Sequence, residues 1–353
     1  MIRLTIDGKA VSVEEGTTIL EAARANDIKI PTLCYLKGVN EIGSCRMCVV
    51  EVEGMGKLPP ACNTPAKEGM VVRTMSERVV ASRRRTLDLL LSNHDQHCFS
   101  CPQNGSCELQ DVCYDYGIER TTLRPTRADI EHPVQDAHPF LSYHPELCIH
   151  CQRCVSTCEK MTGRRAIRLA RTGMFEVIDT PFGPDWDTSI CEACGNCAQA
   201  CPTGAITEKR RRGYRVWETE RVRTTCPHCA VGCQMDLIVK DGKIVDCEGA
   251  DGPSNRGLLC VKGRSASFDF VDHPDRVRYP MIKNEKTGEF ERATWDEALG
   301  LVARKFSEIR DRDGGDALAA FACSRSTNED VYMLQKMARV AFRTHNTDNC
   351  ARV

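Results

Sequence analysis

At 353 residues, the chain is long enough for two or more domains that each bury a modest core. Hydrophobic residues make up 41% and charged residues 27%, and the formal net charge of −1 favours neither nucleic acid nor a membrane surface as a partner. The first residues lack the apolar core and twin arginines of a signal peptide. The longest apolar stretch, Ala317 to Cys323, is too short to cross a bilayer, so we expect a cytoplasmic, reducing location.

The 23 cysteines are the most informative feature of the chain. Nineteen of them fall into five groups, and each group has the spacing of an iron–sulfur ligand set. In a reducing compartment, dense cysteine indicates metal more often than disulfides. The expected fold is therefore a multidomain α+β protein that carries a row of redox centres and conducts electrons.

A [2Fe–2S] ferredoxin-like domain of the β-grasp type is predicted over residues 1–78. Residues 2–6 alternate apolar and polar before an Asp7-Gly8 hairpin turn, Thr18 begins a capping box for a short helix, and further strands are predicted at 49–52 and 70–73. The proposed ligands have the spacing C-x10-C-x2-C-x13-C and are Cys34, Cys45, Cys48 and Cys62. Four thiolates with backbone N–H donors around them can hold a [2Fe–2S] centre, and a structural zinc site is the alternative.

A small helical domain is predicted over residues 79–120. A helix is predicted from Ser76 to Leu91, at the start of this domain. The helix leads into the pattern H-x3-C-x2-C-x5-C, whose members are His94, Cys98, Cys101 and Cys107. One neutral imidazole in place of a thiolate makes a [4Fe–4S] centre less negative and raises its potential. His97 is the alternative ligand, although its adjacency to Cys98 is poorer geometry. Cys113 lies beyond this loop and is expected to be a packed thiol.

A bacterial-type ferredoxin domain with two [4Fe–4S] centres is predicted over residues 138–210. The pattern C-x2-C-x2-C-x3-C occurs twice, and Pro202, Thr203 and Gly204 follow the second copy as in bacterial ferredoxins. In such proteins the fourth cysteine of each run binds the other cluster. This rule predicts one set of Cys148, Cys151, Cys154 and Cys201, and another of Cys158, Cys191, Cys194 and Cys197.

The fifth ligand set, for a [4Fe–4S] centre, is predicted over residues 219–275 and consists of Cys226, Cys229, Cys233 and Cys260. Two strands, 235–239 and 243–247, lie between these ligands and are joined by an Asp241-Gly242 turn. Beyond them we predict a helix over 295–310, a buried parallel strand over 317–323 and a helix over 328–342. Cys247 and Cys323 have no cluster partners in the sequence and are expected to be core thiols.

The fifth set and the residues after it carry a resemblance to a known family. The run Leu259-Cys260-Val261-Lys262-Gly263-Arg264 resembles the start of the large subunit of molybdenum or tungsten bis-pterin oxidoreductases. The resemblance implies that Lys262 lies between cluster and pterin and helps electrons pass, whereas the alternative is an ordinary surface lysine. Tyr279-Pro280-Met281 and residues 294–298 are similar to the segment that leads into the pterin-binding α/β domain, so 276–353 is expected to be its incomplete start.

The order of modules resembles the catalytic subunit of soluble, cytoplasmic, NAD(P)-linked formate dehydrogenases. The resemblance implies a molybdenum or tungsten bis-pterin guanine dinucleotide, interconversion of formate and carbon dioxide, and electron passage through the fifth set, the ferredoxin pair and the two N-terminal centres. The sequence holds neither a G-x-G-x-x-G nor a Walker motif. We therefore expect NAD(P) and flavin to bind a diaphorase partner with its own iron–sulfur centres, or a ferredoxin to be the partner, and we expect no nucleic acid or membrane partner.

The resemblance also concerns the last residues. In that family the segment matching Asn349-Cys350-Ala351-Arg352-Val353 is followed at once by the cysteine or selenocysteine that binds the metal. No catalytic residue is therefore expected within this chain, and Cys350 lies four positions before the missing ligand. We expect an in-frame UGA codon, read as selenocysteine, immediately after Val353.

Two other oxidoreductase assignments compete. An iron–sulfur subunit of the NADH:quinone oxidoreductase type shares the first two modules, but it usually carries a single cluster where this chain has the duplicated run. An iron-only hydrogenase shares the first four clusters, but it should continue into its own catalytic cysteine motifs, which are absent, and the segment from Cys226 to Lys262 points elsewhere. A scaffold with five zinc sites is the non-redox alternative.

Overall fold

The computed structural model describes residues 1–124, 134–180, 190–266 and 268–351, without the side chains of residues 174 and 212. The position expected to precede the metal ligand, Val353, lies outside the described residues. The chain divides into two units, which are taken separately below. One consists of Met1–Arg221 with Ile238–Asp246, and the other of Val222–Leu237 with Cys247–Val353.

A four-stranded sheet forms the N-terminal part of the first unit. Strands β1 (Ile2–Ile6) and β2 (Lys9–Val13) form the predicted hairpin, and Asp7 and Gly8 adopt the positive φ angles of 49° and 82° that a two-residue turn needs. Strand β4 (Val71–Arg73) pairs in parallel with β1 and antiparallel with β3 (Glu51–Val52), which gives the order β2-β1-β4-β3. Helix α1 (Ile19–Arg24) packs its buried Ile19 and Leu20 into the same core as Ile6 and Val72.

Only half of the predicted capping box at α1 forms. Thr18 Oγ1 accepts a hydrogen bond from the Glu21 backbone N–H at 3.2 Å. The Glu21 carboxylate instead accepts hydrogen bonds from the Tyr35 hydroxyl, at 2.8 Å, and from Lys37 Nζ. The Glu21 side chain therefore makes tertiary hydrogen bonds instead of the local bond at the start of α1 that the sequence pattern predicts.

Helix α2 (Glu77–Leu91) confirms the helix predicted from Ser76, whose hydroxyl accepts a hydrogen bond from the Val79 N–H at 3.4 Å. Its buried Leu87 and Leu91 pack against the shorter helix α3 (Glu108–Asp115). The loop between these two helices carries the histidine and cysteines of the second predicted set.

The ferredoxin segment is built from two small antiparallel ladders. Strand β5 (Leu141–Tyr143) pairs with β8 (Ile206–Glu208), and β6 (Arg168–Ala170) pairs with β7 (Val177–Asp179). The short helices α4 (Arg153–Ser156) and α5 (Asn196–Ala200) follow the two cysteine loops. A three-stranded sheet comes next, in the order β11-β10-β9, from β9 (Glu220–Thr225), β10 (Gln234–Lys240) and β11 (Lys243–Gly249). The predicted turn at Asp241 and Gly242 joins β10 to β11, with φ angles of 51° and 73°.

The second unit contains longer helices and short strands. Its elements after β11 are α6 (Val261–Ser265), β12 (Met281–Lys283), β13 (Phe290–Arg292), α7 (Trp295–Asp313), β14 (Ala320–Ala322), α8 (Asn328–Met337) and β15 (Thr347–Asn349). Strands β12 and β13 form a hairpin, β14 and β15 pair in parallel, and a π-helical turn, Ala338–Phe342, continues α8.

Helix α7 confirms the helix predicted over 295–310, although none of its residues is buried and Leu299 is 58% exposed. The strand predicted to be buried and parallel is confirmed in part, because it pairs in parallel with β15 and buries Leu318 and Ala320 but exposes 75% of Phe321. Successive side chains of a strand point to opposite faces, so Ala320 packs against Ala338 and Phe342 whereas Phe321 points to the other face. None of the helices that the structure describes is long and apolar enough to cross a membrane.

Candidate iron–sulfur centres

The first set of cysteines lies in one cluster beside the N-terminal sheet. A hydrogen bond with the Cys45 thiol lowers the pKa of Cys34 to about 5, and the same contact raises the pKa of Cys45. The Cys48 and Cys62 thiols interact in the same way, and the charge of Cys34 acts on both of them. The structure therefore brings together the four residues that the spacing selects, although Cys34 and Cys62 are 28 positions apart.

A buried arginine holds the backbone beside the first set. Arg83 of α2 is completely buried and donates hydrogen bonds to the Tyr116 hydroxyl at 2.7 Å and to the Val49 carbonyl at 2.8 Å. Because Val49 follows Cys48 directly, Arg83 connects the first set to α2 and to the end of α3.

The second set lies on the loop between α2 and α3. Burial raises the pKa of Cys101 and raises that of Cys107 to about 12, and each thiol is within electrostatic range of a neighbouring cysteine. Burial lowers the pKa of His94, which favours the neutral imidazole that can bind iron. His94 Nδ1 is buried and has no hydrogen-bond partner among the described residues, so a lone pair is available for a metal.

The alternative histidine has a different environment. His97 is exposed, and its Nδ1 contacts the Asp95 carboxylate. This nitrogen is therefore already engaged, whereas the buried nitrogen of His94 is not. The geometry favours His94 as the iron ligand.

The two cysteine runs of the ferredoxin segment have the same local backbone. His150 and Ala193, each two residues after the first cysteine of a run, have positive φ angles of 54°. Each of them donates its backbone N–H to that first cysteine, His150 to Cys148 Sγ and Ala193 to Cys191 Sγ, at 3.4 Å in both cases. Two residues further on, Gln152 and Gly195 also have positive φ angles. These turns point the N–H groups at sulfur, an arrangement that stabilises a charged cluster.

Two separate cavities divide the eight ferredoxin cysteines. One is lined by Cys148, Cys151, Cys154 and Cys201. The other is lined by Cys158, Cys191, Cys194 and Cys197. The fourth cysteine of each run thus lies in the cavity of the other run. Burial raises the pKa of Cys154 and of Cys197 well above the ordinary value, and the charges of the other cysteines in each cavity add to this effect.

The fifth set lies in the second unit. Burial raises the pKa of Cys233, to which the charges of Cys226, Cys229 and Cys260 contribute, so the four thiols are close together. The Cys226 N–H donates to the Cys233 carbonyl at 2.8 Å, which closes the loop. Lys262 lies in α6, two residues after Cys260, and its side chain is exposed.

The first four sets are neighbours within the first unit. The buried Asn40 side chain donates from Nδ2 to the Cys34 carbonyl at 2.8 Å and to the Cys151 carbonyl at 2.9 Å, which joins the first set to the third. A Cβ atom built on Gly204 would lie 2.8 Å from Cys101 Sγ, so the second set lies against the turn after the second ferredoxin run. Cys154 and Cys197 interact electrostatically across the two ferredoxin cavities.

The remaining four cysteines differ in their surroundings. Cys113 is buried among apolar side chains of α2 and α3, and Cys247 is fully buried and donates to the Gly263 and Arg264 carbonyls, so both predictions of packed thiols are confirmed. The same prediction for Cys323 is wrong because this residue is exposed just beyond β14. Cys350 is also exposed, and its thiol contacts the Ser324 N–H at 3.3 Å.

The described residues contain no group of three or more His, Cys, Asp or Glu side chains that is arranged to hold a metal ion. Four-iron clusters separate their thiolates more widely than a single tetrahedral ion does. In the ferredoxin segment, four cysteines line each of the two cavities.

Sequence reasoning missed three residues beside these sets, namely Asn40, Arg83 and His138. Asn40 and Arg83 are completely buried, and His138 is 4% exposed, although all three side chains are polar. Their sequence neighbours carry no motif, and the partners that connect them to other parts of the fold lie between 33 and 116 positions away. No local pattern could have identified them.

Five family models match the chain, and they describe iron–sulfur and molybdopterin domains. The N-terminal matches are a 2Fe-2S iron-sulfur cluster binding domain over residues 1–77 and the NADH-ubiquinone oxidoreductase-G iron-sulfur binding region over 83–122. A 4Fe-4S binding domain matches 184–207. The molybdopterin oxidoreductase Fe4S4 domain matches 219–271, and the molybdopterin oxidoreductase domain matches 276–353.

Several curated proteins are similar along essentially the whole chain. The NADPH-Fe(3+) oxidoreductase subunit alpha of Geobacter sulfurreducens is 39% identical over 359 residues, and a G-type NADH-quinone oxidoreductase subunit of Rhizobium meliloti is 35% identical over 354 residues. A Staphylococcus aureus protein with the name "Putative formate dehydrogenase" is 30% identical over 390 residues. The matches cover 99–100% of this chain, which spans about 40% of the length of each relative.

A solved structure is also similar. A chain of the NAD+-reducing [NiFe]-hydrogenase in the H2-reduced state has a TM-score of 0.55 and 30% sequence identity. The match covers 59% of the present chain and 87% of the hydrogenase chain.

Proposed function

Because this chain is an electron-transfer iron–sulfur subunit of the molybdopterin oxidoreductase family, we propose that it is the N-terminal part of a formate dehydrogenase catalytic subunit. In this proposal it carries electrons between a molybdenum or tungsten bis-pterin site, where formate and carbon dioxide are interconverted, and a cytoplasmic diaphorase partner. The observation that carries the proposal is the close succession of four ligand sets in the first unit, in a chain that continues into a fifth set and a pterin domain.

We assign one [2Fe–2S] and four [4Fe–4S] clusters. The first set, which would hold the [2Fe–2S] cluster, is Cys34, Cys45, Cys48 and Cys62. The other four sets would each hold a [4Fe–4S] cluster. They are His94, Cys98, Cys101 and Cys107 (second set); Cys148, Cys151, Cys154 and Cys201 (third set); Cys158, Cys191, Cys194 and Cys197 (fourth set); and Cys226, Cys229, Cys233 and Cys260 (fifth set). When bound, these clusters supply one-electron carriers, and the pterin-bound metal supplies two-electron chemistry.

The chain's own residues hold and tune these groups. Backbone N–H groups of His150 and Ala193 stabilise negative charge at sulfur, as does the Ala166 N–H, which lies 3.2 Å from Cys158 Sγ. Apolar side chains exclude water from the cavities, for example Ile178 and Ile206 beside Cys148. In this proposal Lys262 lies toward the pterin side of the fifth set.

Two findings support a nicotinamide-linked partner. The similar solved chain belongs to an NAD+-reducing hydrogenase, and the names of two relatives refer to NADPH and NADH. The present sequence has no G-x-G-x-x-G motif of its own. A separate flavin- and NAD(P)-binding subunit would provide this function, and a ferredoxin is the second candidate partner.

A non-catalytic iron–sulfur subunit of an NADH:quinone oxidoreductase-like or hydrogenase complex is the alternative function. It is favoured by the identities of 39% and 35% to oxidoreductase subunits with other names, against 30% for the formate dehydrogenase homologue. The two functions differ in whether formate reduces the clusters.

The substrate is tested on the complete gene product, purified without oxygen. Formate is expected to reduce the iron–sulfur centres, and NADPH added without a diaphorase is not. No reduction by formate, together with reduction by NADPH once a diaphorase partner is added, would favour the alternative function. The codon after that of Val353 tests the selenocysteine proposal, which requires UGA followed by an open reading frame.

The cluster assignment is tested on the 353-residue chain by anaerobic reconstitution, iron and sulfide analysis, and electron paramagnetic resonance (EPR). About 18 iron atoms are expected from one two-iron and four four-iron clusters. The variant Cys34→Ser should lose the [2Fe–2S] signal, whereas Cys113→Ser, a buried thiol outside the sets, should keep all signals. His94→Ala should remove or alter one [4Fe–4S] signal, and His97→Ala should not. Fewer than four reducible centres in the unmodified chain would contradict the assignment.

A further inference from the structure

Two backbone hydrogen bonds determine which ring nitrogen of the buried His138 carries the proton. His138 is 4% exposed, and its Nδ1 accepts hydrogen bonds from the N–H groups of Phe140, at 3.2 Å, and Leu141, at 3.1 Å. A ring nitrogen that accepts two hydrogen bonds carries a lone pair and no proton. The proton of the neutral imidazole is therefore on Nε2.

The protonated nitrogen faces a cysteine of the fourth set. His138 Nε2 lies 3.7 Å from Cys191 Sγ, a hydrogen-bonding distance for sulfur. Cys191 also receives the Ala193 N–H at 3.4 Å. The two donors come from different elements, because His138 precedes β5 and Ala193 lies in the second cysteine run.

The other half of the repeat has a different side chain at the corresponding cysteine. Cys148 receives the His150 N–H at 3.4 Å, as its counterpart does, but the side-chain hydroxyl beside it is that of Tyr143. Tyr143 OH also accepts the Ile178 N–H at 3.0 Å. The backbone donors of the two runs are thus equivalent, whereas the side-chain groups differ.

We propose that His138 is a positioning residue whose Nε2–H donates a hydrogen bond to the Cys191 thiolate and raises the reduction potential of the cluster held by the fourth set. Reduction adds negative charge, part of which is on the ligand sulfurs, so a donor at sulfur stabilises the reduced form more than the oxidised form. The histidine would thereby act at the fourth set through a different side chain from the Tyr143 hydroxyl, which hydrogen-bonds to Cys148 at the third set. This inference rests on the ligand assignment proposed above.

The test compares reduction potentials in the reconstituted full chain by EPR-monitored redox titration. His138→Phe keeps a ring but removes the donor, and we expect the reduction equilibrium of one [4Fe–4S] centre to fall about tenfold, which is a shift of about 59 mV to more negative potential. His138→Gln keeps an N–H donor and should restore part of the shift. Unchanged potentials in His138→Phe, with all clusters loaded, would overturn the proposal.

The matched control is His144→Phe. This histidine follows β5, as His138 precedes it, and its Nδ1 lies 3.1 Å from the Glu146 carboxylate. The substitution introduces the same ring without removing a donor from Cys191, so it should leave the reduction potential of the fourth-set centre unchanged. An equal shift of that centre in His144→Phe would assign the effect to ring bulk and would overturn the role of His138.

A second measurement decides the case if His138→Phe does not load its cluster. In unmodified protein labelled with 15N-histidine, pulsed EPR of the reduced centres should show a weak nitrogen coupling beside the strong coupling from the directly bound histidine. Absence of the weak coupling would overturn the proposal. Loss of whole clusters from the unmodified chain would instead contradict the cluster assignment, so the two failures are distinguishable.

Discussion

At the scale of single residues, buried polar side chains connect the ligand sets. Asn40 is completely buried, and both polar atoms of its side chain make hydrogen bonds within the protein. Nδ2 donates to the Cys34 and Cys151 carbonyls, and Oδ1 accepts from Ser156 Oγ at 2.8 Å. These partners belong to the N-terminal domain and to the ferredoxin segment. One amide therefore helps to set the spacing between two proposed centres.

The substitution Asn40→Leu should destabilise the first unit. It leaves two buried carbonyls and one hydroxyl without their partner, which should cost about 3 kcal/mol. For a unit of this size, that loss corresponds to about 6–12 °C in Tm. The measurement is the apparent Tm of the oxygen-protected holoprotein at a constant scan rate.

Asn26→Ala provides the comparison. The Asn26 side chain makes a hydrogen bond to the Ala22 carbonyl at 2.9 Å at the end of α1, so its loss should cost about 1 kcal/mol. Equal effects of the two substitutions would show that Asn40 has no special role between the domains.

At the scale of elements, the cysteine turns are more informative than the helices. The positive φ angles at His150, Gln152, Ala193 and Gly195 repeat in the two runs, so the same sequence spacing produces the same turn twice. Helix α7 shows the opposite case, because its period is correct but several of its apolar residues, such as Leu299 and Val302, remain exposed. A turn is defined by its own few residues, whereas helix burial requires a partner element.

Gly204, in the turn after the second cysteine run, lies so close to Cys101 that a larger residue should disturb the second ligand set. A Cβ atom on Gly204 would lie 2.8 Å from Cys101 Sγ and 3.2 Å from Leu147 Cδ1, closer than ordinary packing allows. Gly204→Ala should therefore displace Cys101 and reduce the occupancy of the His94-containing set, with a loss of about four irons per chain.

The measurement is iron content together with the EPR signal of that centre after reconstitution. Gly213→Ala is the control, since a Cβ atom there meets nothing within 4 Å. Full loading of Gly204→Ala would contradict the tight contact between the second set and the ferredoxin segment.

At the scale of the whole molecule, ligand cysteines form part of the hydrophobic core. Cys34, Cys107 and Cys151, from three different sets, belong to one buried cluster with Leu87 and Leu109. Ligands of the two ferredoxin sets lie in or against a second cluster around Leu141 and Ile178. Metal binding and folding of the first unit should therefore be coupled.

Removal of iron by a chelator should loosen the first unit. Without iron, the buried thiolates would repel one another, and the cavities would no longer be filled by clusters. Both effects should destabilise the core that these cysteines share. Limited proteolysis with peptide mapping should show faster cleavage between residues 30 and 210. Cleavage within α7 and α8, which contain no ligands, should keep its rate. Equal cleavage rates before and after chelation would contradict this coupling.

Much of the architecture could be predicted because its signals are local. The hairpin at Asp7 and Gly8 and the helix after Ser76 depend on residues within a few positions of one another, and the structure contains both. The short strands β5 to β8 were not predicted, since three-residue strands have no recognisable period. The β14 pairing and the exposure of Cys323 depend on what lies opposite them in space.

The sequence by itself indicated the chemistry of this protein, because a cluster needs several thiolates within a few ångströms and the short spacings within each cysteine run bring most of them close together. Tertiary structure decided the environment of those thiolates. The pairing of β5 with β8 joins residues more than 60 positions apart, and contacts such as His138 with Cys191 and Asn40 with Cys151 likewise span 53 and 111 positions. Hydrogen bonds between residues so distant in sequence exist only once the chain has folded, and they adjust sites whose ligands the spacing had already selected.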